Sequence, residues 1–213
     1  MSQPSRALII GAGADVPQNL PCIAPGTLVI CADAGIEHAE RWGITPHLVV
    51  GDLDSATGDV EGWCLENGIE LMRFPVEKDK TDVELAIDVA VSRQVTQITL
   101  VGVWGGRIDH SLANLDLLYG LARAGIRGEL ITSEARLLTL MGTLVLPMTV
   151  GGVISLLPLT EECRGVTTQG LYYPLSDASL RRGTTLGISN MAVAERIKIS
   201  CAQGILLVVL PTK

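Results

Sequence analysis

The strongest constraint on the fold is an alternation, along residues 6–132, of short apolar runs with segments of helical periodicity. The runs are rich in aliphatic and β-branched residues, as in Leu-Val-Ile-Cys-Ala at residues 28–32. Continuous apolar runs are typical of strands covered on both faces, so the alternation predicts a mainly parallel sheet with helices on its faces. Strands are expected at Ala7–Ile10, Thr27–Ala32, His47–Val50, Ile69–Phe74, Gln97–Val101 and Glu129–Thr132.

Three segments between these runs carry helix signals. Residues 36–43 place small and apolar side chains on one face, and Gly43 is positioned to end that helix. Thr81–Glu84 forms a T-x-x-E capping box ahead of a second apolar stripe. A third stripe runs through residues 112–122.

After about residue 133 the pattern changes to short apolar runs separated by Gly, Pro and Ser, without a helical period. Closely spaced strands with turn signals predict an antiparallel sandwich. We therefore predict an α/β domain at residues 1–132, followed by an all-β sandwich domain at residues 136–213. The first domain is expected to be Rossmann-like but to lack a P-loop, because no G-x-x-x-x-G-K-[ST] motif occurs. Strands of the second half are expected at Arg136–Pro147, Val153–Leu157, Gly165–Thr168, Leu186–Ser189, Arg196–Ser200 and Ile205–Leu210.

Charge and composition limit the partners of the chain. It has 23 acidic and 16 basic residues, a formal charge of −7, and only seven aromatic residues. We therefore expect neither nucleic acid nor an anionic membrane as a partner, although a small phosphate ligand remains compatible if a metal ion supplies positive charge. The longest apolar run, Ile205–Leu210, is far shorter than the ~18 residues of a membrane span. Five scattered cysteines without a C-x-x-C pair indicate a reducing, cytoplasmic location.

Four aspartates lie where predicted strands end. Asp33 follows the second strand, Asp52 and Asp54 follow the third, and Asp82 opens the helix after the fourth. Ligand sites of parallel sheets lie at the carboxyl ends of the strands. Two residues apart in extended backbone, Asp52 and Asp54 project to one side and repel each other unless a cation lies between them. Carboxylate oxygens suit Mg²⁺ shared with a phosphate, while the alternative interpretation is that these are turn and cap aspartates.

Two glycine-containing turns are further candidates for phosphate contact. Gly11–Val16 begins like a dinucleotide fingerprint but has Val16 at the third glycine, so it is either a tight turn or a phosphate-facing loop. After the fifth strand, two glycines precede Arg107, which could hold a phosphate through two hydrogen bonds. Asp109 and Ser111 are placed to cap the next helix, and Lys78 could neutralise phosphate charge.

Six motifs in fixed order, from about residue 8 to the C-terminus, resemble those of the thiamine pyrophosphokinase (thiamine diphosphokinase) family. The motifs are Ala32-Asp33-Ala34-Gly35, Gly51-Asp52-Leu53-Asp54-Ser55, Lys78-Asp79-Lys80-Thr81-Asp82, Gly105-Gly106-Arg107-Ile108-Asp109-His110, Thr168-Gln169-Gly170-Leu171-Tyr172-Tyr173-Pro174-Leu175 and Gly187-Ile188-Ser189-Asn190.

The resemblance implies an α/β catalytic domain and a β-sandwich in a homodimer. It also implies transfer of pyrophosphate from ATP to the hydroxyl of thiamine, giving thiamine diphosphate and AMP. By match, the Mg²⁺ ligands would be Asp33, Asp52, Asp54 and Asp82, of which Asp52, Asp54 and Asp82 form the catalytic group. The ATP-binding residues would be Asp33, Lys78, Thr81, Arg107 and Asp109. Ser189 and Asn190 would contact thiamine at the dimer interface.

Some questions stay open at this stage. Animal relatives have a late Trp that stacks on thiamine, whereas the last Trp here is Trp104, so the stacking residue is unassigned. A pyrophosphokinase for another alcohol, such as a hydroxymethylpterin, and a non-catalytic nucleotide-binding protein are the alternatives. The Tyr172–Leu175 and Ser189-Asn190 motifs favour thiamine, and the four aspartates favour an enzyme. A dehydrogenase built on Gly11–Val16 would lack the third glycine.

Overall fold

The computed structural model describes residues 4–20, 22–53 and 59–212, and the chain divides into two compact units. The first unit comprises Met1–Leu118 and Gly128–Ser133, and the second comprises Tyr119–Arg127 and Glu134–Lys213. The elements up to β6 are β1 (Arg6–Ile10), β2 (Leu28–Ala32), α1 (Gly35–Arg41), β3 (Leu48–Gly51), α2 (Val60–Glu66), β4 (Glu70–Arg73), α3 (Asp82–Ser92), β5 (Gln97–Val101), α4 (Ile108–Arg123) and β6 (Arg127–Ile131).

The first unit is built on a sheet with the strand order β6-β5-β1-β2-β3-β4. The four strands β1 to β4 pair in parallel, and β5 pairs in parallel with the other side of β1. In the centre, Ile9 lies opposite Ile30 on one side and Leu100 on the other, and all three side chains are fully buried. From β1 the chain proceeds to β2 on one side, and from β5 to β6 on the other. The carboxyl ends of β1 and β5 therefore form a topological switch point, where such sheets bind ligands.

Local sequence accounts for the ends of the helices. The first residue of α1 is a glycine because a Cβ on Gly35 would lie 2.1 Å from the carbonyl oxygen of Ile10. The helix is followed by Gly43, as predicted, in a left-handed conformation with φ of 66° and its amide donating to Glu40. The helix α2 was missed by the sequence pattern; the carboxylate of Asp59 caps it by accepting from the amide of Gly62 at 2.9 Å.

The second unit is antiparallel throughout its named strands. These are β7 (Ala135–Pro147), β8 (Val153–Pro158), β9 (Glu162–Gln169), β10 (Ala178–Arg181), β11 (Asn190–Met191) and β12 (Arg196–Pro211). The long strand β12 pairs with β7 along one edge, while its other edge pairs with β9 in its first half and with β8 in its second. Because β12 pairs with both β9 and β8, the strands of this unit are joined through β12 and are not two separate sheets.

The strands of this unit differ from the prediction at three places. Residues Leu186–Ser189 form a turn because Gly187 and Ser189 have φ of 103° and 55°, which a strand cannot accommodate. Arg196–Ser200 and Ile205–Leu210 belong to one strand, which continues through an irregularity at Gly204 with φ of 97°. The strand Ala178–Arg181 was not predicted, since only Leu180 within it is fully buried.

Each unit has an apolar core of its own. In the first, side chains from β1, β2 and β3 pack against α1 and α2, with Ile10, Cys31 and Val49 completely buried. In the second, Ile154, Leu206 and residues from the other strands form the core. Within the described ranges, no helix is both long enough and apolar enough to cross a membrane.

Candidate active site

A cavity of about 460 Å³ opens in the first unit at the switch point between β1 and β5. The turns after these two strands form part of its wall, and the N-terminal ends of α3 and α4 form another part. The lining residues are Ala12, Gly13, Ala14, Ala32, Asp33, Thr81, Asp82, Val83, Gly102, Val103, Gly105, Gly106, Arg107, His110 and Asn114.

The G-x-G turn after β1 owes its glycines to close packing. A Cβ on Gly11 would lie 2.6 Å from the carbonyl oxygen of Gly102, and one on Gly13 would lie 2.8 Å from the same atom. The amides of Gly11, Gly13 and Asp15 all donate to carbonyl oxygens of the segment 101–104. These three amides are therefore used in hydrogen bonds to the segment after β5 and are not available to a phosphate. Of the two interpretations of this motif, the structure favours the tight turn.

The turn after β2 holds Asp33 in a left-handed conformation with φ of 49°, which Asp tolerates better than most residues. Its amide donates to the carbonyl oxygen of Val50 at 2.8 Å, and this bond joins the ends of β2 and β3. Gly51 faces the same turn, and a Cβ there would lie 3.1 Å from the Cα of Asp33. Residue 51, which precedes Asp52, is thus a glycine because the backbone of Asp33 packs closely against it.

Three charged side chains converge beside the cavity, and we call them the Lys78 triad: Asp52, Lys78 and Asp82. The ammonium nitrogen of Lys78 is 2.8 Å from Oδ2 of Asp52 and 2.8 Å from Oδ1 of Asp82. Only 14% of the lysine side chain and 11% of the Asp52 side chain are exposed. Partial burial acts to lower the pKa of Lys78, but its hydrogen bonds to the two carboxylates outweigh burial and raise the pKa above its usual value.

Thr81, the first residue of the predicted capping box, is the N-cap of α3. The Thr81 hydroxyl accepts a hydrogen bond from the amide of Glu84 at 3.2 Å, as an N-cap residue does. Asp82 is the first residue of α3, where the helix dipole favours a negative charge. Capping therefore places both Thr81 and Asp82 at the cavity wall.

The glycine loop after β5 is held by Ser111. Its hydroxyl accepts from the amide of Gly105 at 3.1 Å and donates to the carbonyl oxygen of Arg107 at 3.0 Å. Gly105 has φ of 82°, and a Cβ on it would lie 2.8 Å from the Cβ of Asp15. Because α4 begins at Ile108, Ser111 lies within the first turn and braces the loop instead of capping the helix.

Arg107 and Asp109 form an exposed ion pair with two hydrogen bonds, of which the Nη2–Oδ2 distance is 2.6 Å. The Arg107 guanidinium lowers the pKa of the Asp109 carboxyl to about 2. Asp109 lies inside the first turn of α4, so the expectation that it caps this helix was wrong. In this arrangement Arg107 lines the cavity, while Asp109 orients the guanidinium from outside.

Most of the predicted nucleotide-site residues fall into one neighbourhood. Asp33, Thr81, Asp82 and Arg107 line the cavity, and Asp52 and Lys78 are joined to it through Asp82. Asp54 lies outside the described residues. Among the described ranges 4–20, 22–53 and 59–212, no group of three His, Cys, Asp or Glu residues is close enough to hold a metal ion.

Sequence reasoning missed two cavity residues on α4. His110 and Asn114 received no role from the sequence, although both follow Arg107 at helical spacing. Asn114 is buried and donates from its amide to the carbonyl oxygen of Val103 at 2.7 Å. The spacing of three, then four, residues after Arg107 was the available signal.

The predicted acceptor residues lie in the second unit, where Ser189 ends the turn between β10 and β11 and Asn190 begins β11. Asn190 is 4% exposed, and its Oδ1 accepts from the amides of Tyr173 and Met191 at 3.0 and 2.9 Å. Its Nδ2 donates to the carbonyl oxygen of Tyr173 at 2.7 Å. Ser189 has φ of 55°, and its amide donates to the hydroxyl of Ser155. Asn190 thus fixes the Tyr172–Tyr173 turn, whose two exposed rings contact each other edge to face at 4.9 Å.

Comparison with known proteins places both parts of the chain. Residues 22–129 match the family described as thiamin pyrophosphokinase, catalytic domain, and residues 144–206 match thiamin pyrophosphokinase, vitamin B1 binding domain. Thiamine pyrophosphokinase from Bacillus subtilis (strain 168) is 33% identical over 188 residues, which are 87% of this chain and 88% of that protein. Thiamine pyrophosphokinase 1 from Arabidopsis thaliana is 27% identical over 214 residues, covering 85% and 79% of the two chains.

Solved structures agree with these relatives. The crystal structure of thiamine pyrophosphokinase from Bacillus subtilis superimposes with a TM-score of 0.87 at 29% identity, covering 98% of this chain and 99% of that chain. The thiamin pyrophosphokinase family protein from Enterococcus faecalis gives a TM-score of 0.80 at 27% identity, covering 98% and 100%. The similarity therefore extends over both units.

Proposed function

The chain belongs to the thiamine pyrophosphokinase family, and from this premise we infer that it is an enzyme that transfers the pyrophosphoryl group of ATP to thiamine. The observation that carries the inference is the cavity at the switch point, where an acidic wall, a helix N-terminus and an arginine converge. We propose that residues 1–132 form the catalytic domain and residues 136–213 the thiamine-binding domain. The two family matches fall inside these ranges.

We propose that the cavity binds ATP, with its polyphosphate between the glycine loop and the N-terminus of α3. The positive end of the α3 dipole and the Arg107 guanidinium both favour an anion at this position. Arg107 would exchange part of its pairing with Asp109 for phosphate oxygens, since the pair is exposed and weakly held. Asp33, Lys78, Thr81 and Asp109 complete the proposed ATP-binding set.

The chemistry of the acidic residues fits Mg²⁺. Asp52 and Asp82 already direct one oxygen each toward a single cation, the ammonium of Lys78, and Asp33 lines the same cavity. We propose Asp33, Asp52 and Asp82, together with Asp54 from the family resemblance, as the metal ligands. Bound Mg²⁺ supplies charge neutralisation for the polyphosphate.

The protein's own contribution to the reaction is position and charge. The hydroxyl oxygen of thiamine forms a bond to the β-phosphorus, and the bond from that phosphorus to the bridging oxygen of the α-phosphate breaks. AMP departs with the bridging oxygen, and the hydroxyl proton is released to solvent water. Arg107 and the α3 N-terminus stabilise negative charge on the phosphate oxygens. Positioning by such groups lowers the barrier without a covalent intermediate on the enzyme.

We propose that thiamine binds near Ser189 and Asn190, in a site completed by a second copy of the chain. Exposed apolar side chains around this turn, Tyr172, Tyr173 and Ile188, support a covered surface there. Asn190 would act by fixing the Tyr173 backbone, because its side-chain amide is already engaged. Free cysteines, four of the five buried, support the proposal of a cytoplasmic setting.

A complementation experiment tests the two-chain site. Mixed Asp54→Asn and Asn190→Ala chains should recover activity if the two residues serve one site from different chains. Native mass spectrometry would verify subunit exchange, and exchange without recovery would show that both residues act within one chain.

The activity itself is tested by incubation with ATP, Mg²⁺ and thiamine, followed by chromatography of the products. We expect AMP and thiamine diphosphate in equal amounts. Release of ADP would show transfer of a single phosphate, and a preference for a hydroxymethylpterin over thiamine would show that the acceptor is wrong. The variant Asp82→Asn, which removes a carboxylate from the cavity wall, serves as the control for contaminating kinases.

A further inference from the structure

We propose that Lys78 is a built-in counter-ion, which holds the cation position between Asp52 and Asp82 and yields it only to a metal ion that arrives with a nucleotide. The inference rests on the proposed function, since it takes Asp52 and Asp82 as metal ligands. It adds an order of binding: a free divalent ion is disfavoured, and the metal–nucleotide complex is accepted.

Geometry places the lysine and a metal ion in competition for the same oxygens. The ammonium nitrogen donates a charge-assisted hydrogen bond to Oδ2 of Asp52 at 2.8 Å and forms an ion pair with Oδ1 of Asp82, also at 2.8 Å. An ion that used these two oxygens as ligands would have to displace the ammonium from both. The lysine is 14% exposed, so displacement also removes it from a mostly buried position.

Charge decides which ligand can displace it. A divalent ion entering alone would leave the ammonium close to a second cation, and like charges at such short range repel strongly. A metal–nucleotide complex brings phosphate oxygens that can receive the displaced ammonium. Metal and nucleotide then favour each other's binding, and this coupling must be reciprocal.

The same loop contains a matched control. Lys80, two residues further on, is 43% exposed and pairs with Glu84 and Asp88 on α3. It has the same charge and the same flexible side chain, but among the described residues its ion pairs are with Glu84 and Asp88 and not with Asp52 or Asp82. Replacement of Lys80 therefore reports the general loss of one positive charge near the cavity.

The experiment measures Mn²⁺ binding by electron paramagnetic resonance, with and without α,β-methylene-ATP, in which the bond to be broken is blocked. We expect Lys78→Met to bind Mn²⁺ alone roughly ten-fold more tightly than the wild type, and to show much weaker coupling with the nucleotide. Lys80→Met should bind Mn²⁺ like the wild type. Folded Lys78→Met that binds free Mn²⁺ no more tightly than the wild type would overturn the proposal.

Two further measurements keep the test decisive. If Lys78→Met does not fold, Lys78→Gln replaces it, and the wild type alone must still bind Mn²⁺ several-fold more tightly with the nucleotide than without it. Absence of that coupling overturns the proposal. If the wild type is inactive but its Lys78 variant binds Mn²⁺ more tightly, the proposed function is wrong and the counter-ion role of Lys78 stands. If the wild type is active but the Lys78 variant binds Mn²⁺ no more tightly, the proposed function stands and the counter-ion role is wrong.

Discussion

The Lys78 triad in the first unit and the Ser189–Asn190 turn in the second use polar side chains in opposite ways. In the triad, the carboxylates of Asp52 and Asp82 form ion pairs with Lys78, a long and flexible side chain, beside an open cavity. In the turn, the amide of Asn190 is buried and bonded to backbone groups of Tyr173 and Met191. The first arrangement can exchange its partners for a ligand, while the second can only shape a surface.

The largest effect of a single substitution is expected at Asp82, in the Lys78 triad. We expect Asp82→Asn to lower turnover by at least ~10²-fold, because it removes the negative charge of a carboxylate that is fixed in position at the cavity wall. Circular dichroism should show an intact fold. The matched variant Asp88→Asn alters an exposed carboxylate on the same helix, paired with Lys80, and should retain near wild-type turnover. Similar turnover in the two variants would remove Asp82 from the catalytic group.

In the second unit, Asn190→Ala should act on stability. The substitution leaves the amides of Tyr173 and Met191 and one carbonyl oxygen without their partner, so we expect a loss of about 2 kcal/mol in the free energy of unfolding. Urea denaturation measures it. Ser189→Ala is the neighbouring control and should change stability by less than about 0.5 kcal/mol, because only the Ser189 backbone bonds to Ser155. Equal effects would mean that the turn does not depend on Asn190.

Thr81 combines the two roles, since it caps a helix and lines the cavity. Thr81→Ala should cost about 1 kcal/mol in the free energy of unfolding through loss of the cap. Thr81→Ser preserves the hydroxyl and should restore stability. If activity falls in Thr81→Ala but returns in Thr81→Ser in step with stability, the residue contributes through the helix N-terminus.

The smallest effect is expected at the exposed Arg107–Asp109 pair. The pKa of Asp109 is about 2 in the folded protein and ~3.9 in an unfolded chain. The ion pair therefore stabilises the fold fully above pH ~3.9, and this contribution is lost as the pH falls toward 2. Asp109→Asn should therefore have a slightly lower urea midpoint than the wild type at pH 7, and the difference should shrink below pH ~4. A difference independent of pH would show that the ion pair is not its cause.

Much of the fold was accessible from short-range pattern. The fully buried strands β2 and β3 read as apolar runs, because both of their faces are covered by helices. The Thr81 N-cap and the Gly43 stop are also local, since each depends on residues within one helical turn. Leu186–Ser189 was predicted wrongly because its apolar content suggested a strand, while the conformation of Gly187 and Ser189 depends on their surroundings.

Residue order along the chain was enough to show which residues could carry the chemistry, because the acidic, glycine and arginine motifs follow one another at the ends of strands. The partners of these residues follow from contacts in the folded chain. Lys78 meets Asp52, 26 residues earlier in the chain, because parallel pairing brings the ends of non-adjacent segments to one edge of the sheet. Likewise, Asn190 is committed to the backbone of Tyr173, 17 residues away. Pattern along the chain fixes residue type and local conformation, but charge pairing and burial depend on contacts that sequence distance does not specify.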